Sequence, residues 1–233
     1  MKRSAILHIP HSSPIIPHEH RNKFLLNNDE LQIEILRMTD WFTDELFTPS
    51  DKEYVSVRYP VSRIVLDPER FEEDDKEIMA SRGMGLIYIK TSDGRDLRPP
   101  PSMTERHSLM KQYYRPHHSS LLAAVKTVRE NVPEALVIDC HSFPSSPLPY
   151  EIDQNPERPE ICIGTDDYHT LPWLADLAVY LFENAGFSVE VNRPFSGALV
   201  PIEYYNMDRT VSGIMLELNR KLYMDEKTSL FKT

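Results

Sequence analysis

Short apolar runs alternate with helical spacing along this chain, and several runs stop at an imidazole, a carboxylate or a guanidinium. Ala5–Ile9 leads to His11, Ser62–Leu66 to Asp67 and Arg70, and Leu136–Asp139 to His141. Phe187–Asn192 leads to Arg193, and Ile214–Leu216 to Glu217. Tyr54–Tyr59, Leu86–Lys90 and Glu160–Gly164 also read as strands. Between them lie stripes at the spacing of one helix face: Leu31, Ile35, Met38, Phe42 and Leu46 within residues 28–47, and Leu121, Leu122, Val125 and Val128 within 104–129. A third, more apolar helix is predicted over 171–185, closed by Gly186. Strands alternating with helices predict an α/β fold, a mixed and largely parallel sheet with helices on both faces. Ligands of such sheets bind beyond the carboxyl ends of the strands, so the polar residues there are the ones to weigh.

Composition narrows the classes of function. The 233 residues suit one domain over 1–233, and 40% hydrophobic content supplies a core. Lys plus Arg total 26 against 36 Asp plus Glu, a formal charge of −10, which argues against a nucleic-acid partner. The apolar run near the N-terminus is too short for a signal core, and no stretch reaches the ~20 apolar residues of a membrane span, so a cytoplasmic protein is expected. Cys140 and Cys162 form no CxxC motif and read as buried free thiols, although the sequence alone allows them to pair. The chain has 19 prolines and 7 glycines, and the prolines cluster in extended loops, of which 144–159 could serve as a lid.

Two imidazoles, carboxylates and guanidiniums at strand ends are the parts of a metal-assisted hydrolase. His11 and His141 are the candidate ligands, since neutral imidazole is the commonest metal ligand and catalytic zinc takes three protein ligands. No HxxE follows His11, so the third ligand comes from elsewhere. Glu19 is one candidate. Asp67 is another, as ligand or as the carboxylate that orients a ligand imidazole. Glu217 follows an apolar run and reads either as a general base or as the partner of Arg220. Arg63, Arg70 and Arg193 are the candidate anion readers. His117 and His118, in YYRPHHSSL, could line the site. His8 is read as pointing elsewhere, and His18, His20, His107 and His169 as surface residues. No GxSxG elbow, P-loop or GxGxxG is present, which leaves serine-nucleophile and nucleotide chemistry without support.

The strings IPHSSPIIP, VSRIVLDPERF, YYRPHHSSL, IDCHSFPS, ICIGT, NRPFSGALVP and LELNRKLYMDE occur in that order from about residue 5 to residue 226. Together they resemble the N-formylglutamate amidohydrolase family, which stands with zinc carboxypeptidase-like hydrolases and aspartoacylases. The resemblance implies a three-layer, phosphorylase/hydrolase-like α/β/α sandwich. It also implies zinc-dependent hydrolysis of N-formyl-L-glutamate to formate and glutamate, as in histidine degradation. By motif, His11 and His141 correspond to metal ligands, Asp67 to the support of a ligand histidine, and Arg70 to the grip on a substrate carboxylate. Arg63 would polarise the scissile carbonyl and Glu217 would be the general base; from the residue reading, Arg193 and His118 are also expected at the substrate. This chain departs from the pattern at Glu69, where the wider group has asparagine, and at Ser13 and Ala198, where glycine is usual.

The expectation is a metal-dependent amidohydrolase acting on a small acidic N-acyl amino acid. The alternatives are an amidase, deacylase or carboxypeptidase-like enzyme on another N-acyl amino acid or peptide, a metal- or ligand-binding homologue without catalysis, and a structural domain with salt-bridged strand ends.

Overall fold

The computed structural model describes residues 5–48 and 54–232. A six-stranded sheet is built from β1 (Ala5–Ile9), β2 (Tyr54–Arg58), β3 (Ala135–Phe143), β4 (Ile161–Gly164), β5 (Val189–Val191) and β6 (Val211–Asn219), in the order β2-β1-β3-β6-β4-β5. β2, β1, β3 and β6 run parallel. β4 pairs antiparallel with β6, and β5 parallel with β4, so the last two strands run opposite to the other four. The helices are α1 (His18–Arg21), α2 (Asn28–Met38), α3 (Thr43–Leu46), α4 (Met103–Leu109), α5 (Arg115–Arg129) and α6 (Pro172–Asn184).

Local chemistry sets the helix ends. Asn27 caps α2 and Glu30 reaches back to the Asn27 N–H, a reciprocal box that satisfies two otherwise orphaned donors. Ser102 and Glu105 do the same for α4. The single helix predicted over 104–129 is two helices joined by a π turn at Met110–Tyr114. Gly186 takes φ +93 just past α6, a conformation that a side chain would strain.

Two helices face each other across the sheet. Leu121, Val125 and Val128 of α5 pack on Ile6, Val57, Val137 and Val211. Leu174, Ala178 and Phe182 of α6 pack on Ile161, Ile163, Ile214 and, from β3, Leu136 and Ile138. Val137 points to one face and its neighbours Leu136 and Ile138 to the other, as the pleat requires. The result is three layers, as expected. Each fully buried aliphatic side chain of the α5 stripe contributes about 1.5–3 kcal/mol.

Two predicted strands are absent. Ser62–Leu66 forms buried turns between Pro60 and Pro68, and Leu86–Lys90 is irregular apart from a bridge between Lys90 and Asp96. Ile64, Val65, Leu66 and Leu86 are apolar because they fill a second core with Met38, Tyr88 and Leu97, not because they extend the sheet. Periodicity cannot separate such short buried runs. Cys140 and Cys162 are buried free thiols. The 144–159 segment is tied down: Arg158 pairs with Glu151 in a buried ion pair and lies over the Phe143 and Phe195 rings. Arg82 donates to the carbonyls of Tyr150 and Glu151.

Candidate active site

β1 and β3 are adjacent and parallel, so His11, just past β1, and His141, near the end of β3, emerge at the same sheet end. Glu217 of β6 lies directly beside His141 in register. Asp40, just after α2, points into the same place. Its Oδ2 accepts from the Ser142 N–H at 3.2 Å and lies 3.2 Å from His141 Nδ1 and 3.7 Å from His11 Nδ1. Arg220 Nη2 donates to Asp40 Oδ1 at 2.9 Å.

Carboxylates flank the outer ring nitrogens. His11 Nε2 donates to Asp67 Oδ1 at 2.9 Å. His141 Nε2 sits 3.1 Å from Asp139 Oδ1 and 3.2 Å from Glu69 Oε1. A carboxylate only accepts, so His11 Nε2 carries a proton, whereas His141 Nε2 makes no hydrogen bond and its Nδ1 stands at hydrogen-bond distance from Asp40. The two Nδ1 atoms stand 3.3 Å apart with the Asp40 carboxylate beside them. His11, Asp40 and His141 each offer a ligand atom within reach of the others in a buried place, and two imidazoles with one carboxylate are an ordinary donor set that could hold a divalent metal.

Among the described residues, two other groups could also share a cation: His8, Glu69 and Asp139, and His11, Asp67 and Glu69. In both, a ring N–H already faces a carboxylate, at 2.7 Å between His8 and Asp139 and at 2.9 Å between His11 and Asp67. These groups read as supports of the first.

The electrostatics follow from burial and charge. Burial alone would raise the Asp40 and Asp67 carboxyls. Hydrogen bonds from His11 and His141 hold Asp40 well below its usual range, and Arg63 and His11 do so for Asp67. Burial opposes protonation of His141, yet Glu69 and Asp139 push its pKa well above normal, and the carboxylates that favour a proton there also favour a metal. Burial pushes Glu217 up to about 8, and its Oε2 has no hydrogen-bond partner. That carboxyl is poised to exchange a proton near neutrality.

The remaining predicted site residues divide into two sets. Arg63 is close but engaged: its Nη2 donates to Asp67 Oδ2 at 2.8 Å and its Nε to Tyr88 at 3.1 Å. Arg70 Nε lies 3.6 Å from Asp67 and makes no hydrogen bond. His118 Nε2 meets the Pro68 carbonyl at 2.8 Å and Tyr114 donates to the Arg70 carbonyl at 3.1 Å, so the start of α5 fixes the 67–70 loop. Two residues fall outside. Glu19 is exposed on α1 and belongs to none of the groups that could hold a cation, whereas Asp40 shares one with His11 and His141. Arg193 pairs with Glu190 and Asp153 on the exposed side of β5. Because β4 and β5 run against β6, the carboxyl end of β5 opens at the other end of the sheet from His141 and Glu217.

Sequence reasoning missed Asp40, Asp139 and His8. His8 does not point elsewhere: it links Asp139 to His117, whose Nε2 lies 2.8 Å from His8 Nε2. His169 is buried rather than on the surface, with Nδ1 donating to the Val211 carbonyl at 2.8 Å.

The sequence profile of the N-formylglutamate amidohydrolase family matches residues 3–224. The chain belongs to that family. A relative from Pseudomonas putida, N-formylglutamate deformylase, is 30% identical over 194 residues, which is 81% of this chain and 71% of the relative. The crystal structure of N-formylglutamate amidohydrolase from Ralstonia eutropha JMP134 superposes with a TM-score of 0.83 at 20% identity, covering 100% of this chain and 88% of that one. A gene product of Agrobacterium tumefaciens matches with a TM-score of 0.68 at 20% identity, over 95% of this chain and 81% of its own. The two superpositions agree on the fold. In this family member, the Glu69 carboxylate lies against His141, His11 and His8 rather than standing free, which makes it a neighbour of the histidines.

Proposed function

We propose that this chain hydrolyses the amide of a small N-acyl amino acid, N-formyl-L-glutamate foremost, releasing formate and glutamate. The observation that carries the reading is the meeting of the His11 and His141 Nδ1 atoms with the Asp40 carboxylate beside Glu217. His11, Asp40 and His141 would hold one divalent metal, zinc by the character of the donor set. A metal there supplies Lewis-acid polarisation of the scissile carbonyl and makes water a better nucleophile.

The side chains do the rest. Glu217 accepts the proton of the attacking water and returns it to the departing amine, for which a carboxyl raised toward neutrality is suited. Asp67 fixes the His11 ring. Asp139 and Glu69 fix the His141 ring, and His8 and His117 hold Asp139 in turn. Arg63 neutralises Asp67. Arg70, whose guanidinium makes only loose ion pairs at 3.6 Å to Asp67 and 4.0 Å to Glu77, binds the substrate carboxylate, and His118 lies at the edge of that contact. A cytoplasmic location and a role in histidine degradation belong to the same proposal.

Formate release from N-formyl-L-glutamate, measured beside N-formyl-L-aspartate and N-acetyl-L-glutamate, tests it. Turnover of the first with preference over the others is expected. Turnover of none of a panel of N-acyl amino acids by metal-loaded protein would contradict it.

A further inference from the structure

α6 is apolar on two faces, and only one is used. Leu174, Ala178 and Phe182 pack inward, yet no residue of this helix is buried. On the other side Trp173, Leu177, Tyr180 and Leu181 are 61%, 43%, 63% and 56% exposed. Their spacing places them on one stripe. Asp176 and Glu183 flank it on one side, at the positions of a polar rim. Phe187, just before β5 and against the Phe182 ring, and Val191 of β5 are also exposed. β5 is the last strand of the sheet, so its outer edge meets no further strand among the described residues.

With aromatic side chains of 150–250 Å², the six residues expose on the order of 500 Å² of apolar surface, which is as large as the largest patch of an ordinary monomer. A standard interface buries about 800 Å² per partner with an apolar centre and polar rim. The patch is thus the size of one interface core. An open strand edge beside an apolar helix is also self-complementary. Two copies related by a two-fold axis can pair β5 with β5 antiparallel and set α6 against α6. We propose that this face joins two copies of the chain into a homodimer with a sheet continuous across the axis.

Sedimentation or light scattering of the metal-loaded protein across micromolar concentrations should give twice the mass of the chain. The double variant Trp173→Glu/Tyr180→Lys should give the single mass, with metal content unchanged. In a Trp41→Phe background, Trp173 is the remaining indole, and its quenching by iodide should fall several-fold as protein concentration rises. That readout holds even if the double variant folds poorly. A wild type that stays at single mass, a dimer that survives the double variant, or a Trp173 quenched equally at all concentrations would overturn the proposal, as would saturable docking of apolar peptides on a monomer.

Discussion

Replacing Asp40 by asparagine keeps the side chain's volume and removes its charge. Two consequences follow from the geometry. Arg220 is buried and loses the anion 2.9 Å from its Nη2. Breaking a buried pair from one side costs about 3–5 kcal/mol. Arg220 keeps bonds to the Arg37 carbonyl and to Ser142, so about 3 kcal/mol, the lower end, is expected. For a chain of this length each kcal/mol moves the melting temperature by about 2–4 °C, which gives a fall of about 6–12 °C. On the proposed metal site, the second consequence is loss of one of its three donors. Metal content should drop far below one equivalent after dialysis, although His11 and His141 remain. Calorimetry and elemental analysis of the same preparation read both effects. An Asp40→Asn protein that melts with the wild type and keeps its metal would refute the assignment of Asp40 to both roles.

Glu217→Gln should lower kcat by about 10²–10⁴-fold while metal content stays at the wild-type level, a pattern that steady-state kinetics with elemental analysis will show or exclude. Arg70→Met should raise KM for an acidic substrate about tenfold or more and change kcat less, because it removes a contact made before the chemical step. Burial, then His8 and His118, lower His117 from its ordinary 6.5 to about 2. The unfolded chain therefore binds a proton that the folded chain refuses. The stability is full above about pH 6.5 and is lost as pH falls toward 2, at a limiting rate of about 1.4 kcal/mol per pH unit. Denaturant unfolding at pH 5, 6 and 7 should show this slope reduced by one proton in His117→Phe, and an unchanged slope would count against the buried neutral imidazole.

The strands that carry the site were legible because their apolar runs end in chemistry. Ala5–Ile9 is β1, and the runs before His141 and Glu217 lie within β3 and β6. Their shared direction brings His11, His141 and Glu217 to one end. Arg193 sits at the end of an equally convincing run, but local pattern carries no strand direction, and β5 runs the other way. Asp40 was hidden for a different reason. It follows a helix rather than a strand, and its place beside His11 and His141 is a tertiary fact. His8 was misjudged by alternation: two residues past β1 the chain no longer keeps the pleat, so His8 and His11 both reach the same cluster. Glu19 attracted attention only by nearness in sequence, and α1 turns it to solvent.

The central claim is that His11, Asp40 and His141 hold a metal on which amide hydrolysis depends. The direct measurement is formate release from N-formyl-L-glutamate before chelation, after chelation and after titration back with zinc. The account predicts that activity disappears in the metal-free protein and returns linearly to a plateau at one equivalent. Full activity in protein shown by elemental analysis to be free of divalent metal would contradict it.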